Sequence, residues 1–140
     1  TLCHGDFRGD NLMFDDTSDG VDRVGVLDWQ IAYRSAGVGD VCYLATQSMT
    51  VEQRRVHERE CLDAWYERLA SALGRQPEGY TPEQAWDDYR AVAGNMTVYA
   101  VVSGGALDPS NERGRQLVTE MAKRSFTAAL DLDTLDMIPR

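Results

Sequence analysis

Leu2-Cys3-His4-Gly5-Asp6-Phe7-Arg8-Gly9-Asp10-Asn11 stands at the head of the chain, and Asp28 lies at the tip of Val24-Gly25-Val26-Leu27-Asp28-Trp29. Asn11-Leu12-Met13-Phe14 reads as a short apolar strand. Asp15-Asp16-Thr17-Ser18-Asp19-Gly20 is rich in turn formers, whose short side chains bond the local backbone. Val21 to Trp29 then reads as a second strand, so the two predict a hairpin. Adjacent strands lie about 5 Å apart, which brings Asn11, entering one strand, beside Asp28, leaving its antiparallel partner. Two oxygen donors so placed can share one cation. A buried, unpaired Asp after Val-Gly-Val-Leu is costly to desolvate, and that cost argues for a metal at Asp28.

His, an Asp two residues on, an Asn five beyond that and a later strand-end Asp are the parts that phosphoryl transfer uses. One carboxylate orients a hydroxyl and takes its proton, while an amide and a second carboxylate hold Mg²⁺ against nucleotide phosphates. The pattern His-x-Asp-x-x-x-x-Asn…Asp resembles the catalytic and metal-binding stretch of the protein-kinase-like fold. With Gly5 after the histidine and Asp28-Trp29-Gln30 as the tripeptide, it is most similar to the aminoglycoside phosphotransferase and choline/ecdysteroid-kinase-like small-molecule kinases. The motif covers residues 2–47.

The resemblance implies an α+β, mainly helical fold, the C-terminal lobe of the kinase-like architecture, with a small β-hairpin carrying the catalytic and metal loops. Residues 1–49 would be the catalytic loop, hairpin and short helix, and residues 50–140 a helical subdomain. It implies Asp6 as catalytic base, and Asn11 and Asp28 as ligands of Mg²⁺, a hard cation that prefers oxygen. Arg8 would either face the transferred phosphoryl or pair with Asp10 or another loop carboxylate. Asp10 is structural or a substrate-side carboxylate. His4 would be a scaffold for the loop, and Asp40, in Gly37-Val38-Gly39-Asp40-Val41, would tie the following helix to the loop backbone.

The donor would be ATP or GTP and the acceptor a hydroxyl of a small molecule, making the parent a small-molecule kinase. The alternative is a catalytically inactive kinase-like binding or scaffolding domain. The sequence has no Gly-x-Gly-x-x-Gly loop and no Walker-type motif. By resemblance, an N-terminal nucleotide-binding lobe should precede these residues, and the 140 alone should bind nucleotide weakly. A protein acceptor is disfavoured, because few residues separate Asp28 from the helix near Gly39 and no Ala-Pro-Glu follows. A metal hydrolase normally recruits several histidines; here there are only His4 and His57, on dissimilar segments.

Net charge is −9, which argues against nucleic acid, since that binding rests on clustered Lys and Arg. The acidic balance suits a cationic substrate by steering, or simply solubility. No apolar run approaches a membrane span, so a cytoplasmic protein is expected. Cys3, Cys42 and Cys61 are unclustered and read as reduced thiols.

Beyond the hairpin the pattern is helical. Gly39 to Met49 reads as a short helix with Val41, Leu44 and Ala45 inward. Thr50 with Gln53 has capping-box spacing and opens a helix to about Leu73, with a stripe of Leu62, Trp65, Leu69 and Leu73. Within it, residues 54–60 read as a charged, solvated face carrying His57. Gly74 to Gly79 is a linker. Thr81-Pro82-Glu83-Gln84 opens a helix to about Ser103; Met96 to Val102 is expected to be its central buried part, ended by Gly104, Gly105 and Pro109. A last helix, Asn111 to about Leu130, should bury Val118, Met121, Ala122 and Ala129, and the tail 131–138 should fray or cap it. The Trp65/Tyr66 and Trp86/Tyr89 clusters read as core or as a groove wall for the acceptor.

Overall fold

The computed structural model describes residues 1–15, 23–106, 108 and 110–137. Its architecture is α+β and mainly helical, with two small antiparallel sheets at one end. Strand β1 (Leu2–Cys3) pairs with β4 (Tyr33–Arg34), Leu2 opposite Arg34 and Cys3 opposite Tyr33. Strand β2 (Leu12–Phe14) pairs with β3 (Val24–Val26), Leu12 opposite Val26 and Phe14 opposite Val24. The hairpin is therefore present but shorter than the sequence reading, and most of its turn, residues 16–22, lies outside the described residues.

Four helices follow: α1 (Val38–Ser48), α2 (Val51–Leu73), α3 (Pro82–Ala106) and α4 (Glu112–Asp131). Two of them start on reciprocal capping boxes. The Gln53 amide donates to Thr50 Oγ1 at 3.2 Å while the Thr50 amide donates to Gln53 Oε1 at 3.0 Å. Thr81 and Gln84 repeat the exchange at the head of α3, at 3.3 and 2.7 Å. Each box satisfies two backbone donors that a helix start leaves unbonded. Asn111 caps α4 through Oδ1, which accepts from the Gly114 amide at 2.9 Å. Gly74, at φ 66, ends α2 in the left-handed conformation that a Cβ disfavours.

The core lies where α1, α2 and α3 meet: Val38, Cys42 and Ala45, Leu62 and Tyr66, Ala85, Tyr89 and Ala93, closed by Leu132. Several expectations about faces are corrected here. On α1, Val41 and Leu44 are only half-buried, and Cys42, Tyr43 and Thr46 go inside with Ala45. On α2, the buried row is Arg54, Glu58, Leu62 and Tyr66, while Leu73 is exposed. The charged stretch 54–60 is thus not wholly a solvated face. Arg54 is 1% exposed, while the apolar Val56 beside it is 71% exposed. A guanidinium can be buried when carboxylates meet it, and Arg54 meets Glu58 and Asp131 through its two Nη atoms, its buried Nε alone making no hydrogen bond.

On α3, only Met96 and Ala100 of the apolar stretch 96–102 are buried; Val98, Tyr99, Val101 and Val102 face outward. Composition marked the stretch as apolar all round, but its neighbours cover only one side. Gly104 and Gly105 do not end the helix, which runs through them to Ala106; Pro109 lies outside the described residues. On α4, Ser125 and Ala128 are buried, whereas Val118, Met121, Ala122 and Ala129 are half-covered. Of the tail, residues 131–137 neither fray nor merely cap, and residue 138 lies outside the described residues. After Leu132 a 3-10 turn, Thr134–Met137, folds back on α3, with Arg90 Nε donating to the Leu132 carbonyl at 2.8 Å. No helix among the described residues is long and apolar enough to cross a membrane.

Candidate functional site

The first loop, residues 4–11, is held from three sides. From α1, the Asp40 carboxylate accepts two backbone bonds, from His4 N at 2.7 Å and Gly5 N at 3.0 Å. From the end of α1, Ser48 Oγ accepts from Gly9 N at 2.7 Å. From the hairpin side, the buried His4 ring meets the Leu27 carbonyl at 2.7 Å through Nε2. That carbonyl can only accept, so Nε2 carries the proton and Nδ1 is free to accept from the Asp6 amide, at 3.2 Å. Both nitrogens of a neutral imidazole are thereby used, which makes His4 a strut between loop and hairpin. Trp29 packs over it, ring centroids 4.8 Å apart. Gly5 has φ +86, and a Cβ there would sit 2.8 Å from the Ile31 carbonyl oxygen. Only glycine permits the turn after the histidine.

This scaffold gathers Asp6, Arg8, Asn11 and Asp28 at one end of the molecule. Asn11 Nδ2 donates to the Asp6 carbonyl at 2.8 Å and to Asp6 Oδ2 at 3.0 Å. The amide orientation is fixed by those bonds, since only the nitrogen can donate to both oxygens; Oδ1 is the atom left to offer a cation. The Asn11 carbonyl accepts from Leu27 N at 2.9 Å, which continues the β2–β3 ladder by one residue and sets Asp28 immediately beyond it. Asp28 itself adopts φ 62, a left-handed conformation that costs an L-residue about 1–2 kcal/mol. Such strain persists where surrounding bonds over-determine it and clusters at functional positions.

Two expectations change. Asp28 is exposed, not buried, so the desolvation cost that argued for a metal does not exist. Its claim rests on placement beside Asn11 and on its backbone. Arg8 takes the ion-pair alternative: Nε lies 3.3 Å from Asp6 Oδ1 and Nη1 3.5 Å from Asp10 Oδ2. Nε is buried and makes no hydrogen bond, so these are charge contacts with the two loop acids.

The sequence reading missed Tyr43. It stands three residues after Asp40, one helical turn along the face of α1 that meets the loop, and that spacing was the available signal. Tyr43 lies beside Asp6; burial, and then the interaction with the Asp6 carboxylate, push its phenol well above the usual tyrosine range. The aromatic clusters named for an acceptor groove are elsewhere. Tyr66 and Tyr89 are core, and the clefts beside the loop are lined by Tyr33, Tyr43 and Tyr99 instead. Among the described residues no three His, Cys, Asp or Glu side chains are grouped to hold a metal. A cation at this end would rest on one amide oxygen, the Asp28 carboxylate and water, a set that suits Mg²⁺. Cys3, Cys42 and Cys61 are free thiols, each pushed up by burial.

Comparison with family models matches residues 1–132 to the DUF1679 family, described as "Uncharacterized oxidoreductase dhs-27". No curated protein and no solved structure matches the chain. The description conflicts with the enzyme class expected from the motif. That expectation, a small-molecule kinase with an alcohol acceptor, is corrected on this finding: the family is named for oxidoreduction, and its name marks it as uncharacterized.

Proposed function

We propose, for a chain that belongs to the family described as "Uncharacterized oxidoreductase dhs-27", that the first loop and the hairpin bind a divalent cation together with the phosphates of a nucleotide. Mg²⁺ would be held by Asn11 Oδ1 and the Asp28 carboxylate, and ATP or GTP would reach the site through that ion. This is the binding-domain reading of the likeness to aminoglycoside phosphotransferases and choline/ecdysteroid kinases, a likeness of loop and hairpin. It assigns no transfer reaction.

The observation that carries it is the bond from Leu27 N to the Asn11 carbonyl together with the two bonds from Asn11 Nδ2 to Asp6. An amide whose nitrogen is spent on Asp6 leaves its oxygen for a cation, on a loop whose backbone bond to Leu27 brings Asp28 into the neighbouring position. The cation would supply charge to neutralise phosphate oxygens. The chain's own residues position it: Asp40 and His4 fix the loop, and Asp6 fixes the amide. Asp6 shares its carboxylate between Asn11 and Arg8, so it serves first as an organiser.

Mn²⁺ titrated into the chain tests this by paramagnetic broadening of amide signals. Broadening confined to residues 9–12 and 27–30, abolished by Asp28→Ala and competed by Mg²⁺, is the expected result. Broadening centred elsewhere, or unchanged in Asp28→Ala, would refute it.

A further inference from the structure

On the other side of the first loop, α4 turns a face toward Arg8 and Asp10. Arg113, Gln116, Glu120 and Arg124 recur three or four residues apart and so share that face. They enclose a cleft of about 350 Å³ whose opposite wall is the loop, with Tyr43 and Gln47 of α1. That volume is at the small end of organic-ligand sites.

Its charges are unlike those of the chain as a whole. Three guanidiniums, Arg8, Arg113 and Arg124, face two carboxylates, Asp10 and Glu120, on a protein of net charge −9. Arg8 is matched within the loop by Asp6 and Asp10, and Arg124 donates to the Gln47 carbonyl. Arg113 pairs with no carboxylate among the described residues. Gln47 supplies a second, independent mark. Its Nε2 donates to Ser125 Oγ at 3.0 Å and Thr46 Oγ1 at 3.3 Å, while its Oε1 is buried without a partner. A buried acceptor left unbonded is costly; turned into the cleft, it would accept a ligand hydroxyl. Leu117 and Met121 add apolar wall between these polar groups.

We infer that the cleft between the first loop and α4 binds a small hydroxylated organic acid, its anionic group on Arg113 and its hydroxyl donating to Gln47 Oε1. The site goes beyond the cation-and-phosphate reading and does not rest on it. Its recognition is a guanidinium–carboxylate contact at one end, a neutral hydrogen bond at the other and an apolar span between.

The probe is 4-hydroxyphenylacetate, with its uncharged amide, 4-hydroxyphenylacetamide, as the matched control. Both are titrated into the full chain with amide chemical shifts as readout. The acid is expected to shift Arg113, Gln116 and Gln47 and to bind at least tenfold more tightly than the amide. Arg113→Gln, an exposed substitution that breaks no internal bond, should erase that tenfold difference; Glu120→Gln should tighten the acid severalfold. Asp28→Ala and chelation should leave acid binding unchanged, so failure here and failure of the cation site are separately visible. Equal binding of acid and amide, indifference to Arg113→Gln, or no shift in the cleft at 10 mM probe would overturn the inference. So would inorganic phosphate displacing the acid at equal concentration, which would make the cleft part of a phosphate site.

Discussion

Arg54→Met removes the one guanidinium that α2 sends into the interior, and the structure fixes what is left behind. Arg54 Nη1 donates to Glu58 Oε2 at 2.7 Å, and Nη2 bonds Asp131 at the end of α4. Asp131 is also held by Arg55, through Nε at 2.7 Å and Nη2 at 2.9 Å, so it loses one of two partners. Glu58 fares worse. Its side chain is 10% exposed, and its remaining partner is the Tyr89 hydroxyl, donating at 3.2 Å. Stranding one member of a buried pair typically costs about 3–5 kcal/mol; the surviving phenol bond places this case near the lower end, about 3 kcal/mol. For a chain of this size that corresponds to a fall in melting temperature of roughly 10 °C. Urea unfolding followed by circular dichroism, with thermal melts alongside, measures both. The pair as a whole contributes far less than this, because desolvating two charges offsets most of their attraction. Arg54→Met combined with Glu58→Gln, which removes the stranded charge but keeps an acceptor for the Tyr89 hydroxyl, should therefore recover most of that loss. A single mutant costing under about 1 kcal/mol, or a double mutant no better than the single, would refute the reasoning.

Gly5→Ala should destabilise by about 2 kcal/mol or more, since the positive φ is penalised and the new methyl meets the Ile31 carbonyl at 2.8 Å; an unchanged unfolding midpoint would contradict the turn geometry. Asp40→Asn leaves one oxygen for two backbone donors, so it should cost about 1–3 kcal/mol and broaden the His4 and Gly5 amide signals, whereas unaltered signals would show that the cap is dispensable. The Asp131 carboxyl is held below the usual carboxylate range, first by the Arg55 hydrogen bond and then by Arg54, against the opposing effect of burial. Because its folded pKa is the lower one, the stability it contributes is present above about pH 3.9 and is lost as pH falls through the folded value. Urea midpoints between pH 2.5 and 5 should fall less steeply in Asp131→Asn than in the parent chain; parallel curves would exclude this carboxylate from the acid response.

The candidate site was legible because its parts are local. Asp6, Asn11 and Gly5 lie in one short loop, and a hairpin register carries Asn11 to Leu27 and hence to Asp28. Asp40 was legible for a similar reason: it sits at the first turn of α1, where a carboxylate complements exposed amides. Tyr43 was readable in principle, one turn further along the same face. What the sequence misjudged at the site was exposure. Val-Gly-Val-Leu before Asp28 suggested an interior strand, but the hairpin is two strands thin and nothing among the described residues covers that face.

Local chemistry by itself determined the capping boxes at Thr50 and Thr81, the glycine stop at Gly74, the hairpin and the helical character of α1 to α4, since each depends on groups within a few positions of one another. Tertiary structure alone decided which faces were buried. Arg54 goes inside because Asp131, far along the chain, arrives to meet it, and Val98, Val101 and Val102 stay outside because little among the described residues packs over them. Burial of a charge or exposure of an apolar side chain is a property of what packs against it, and no periodicity within one helix carries that information.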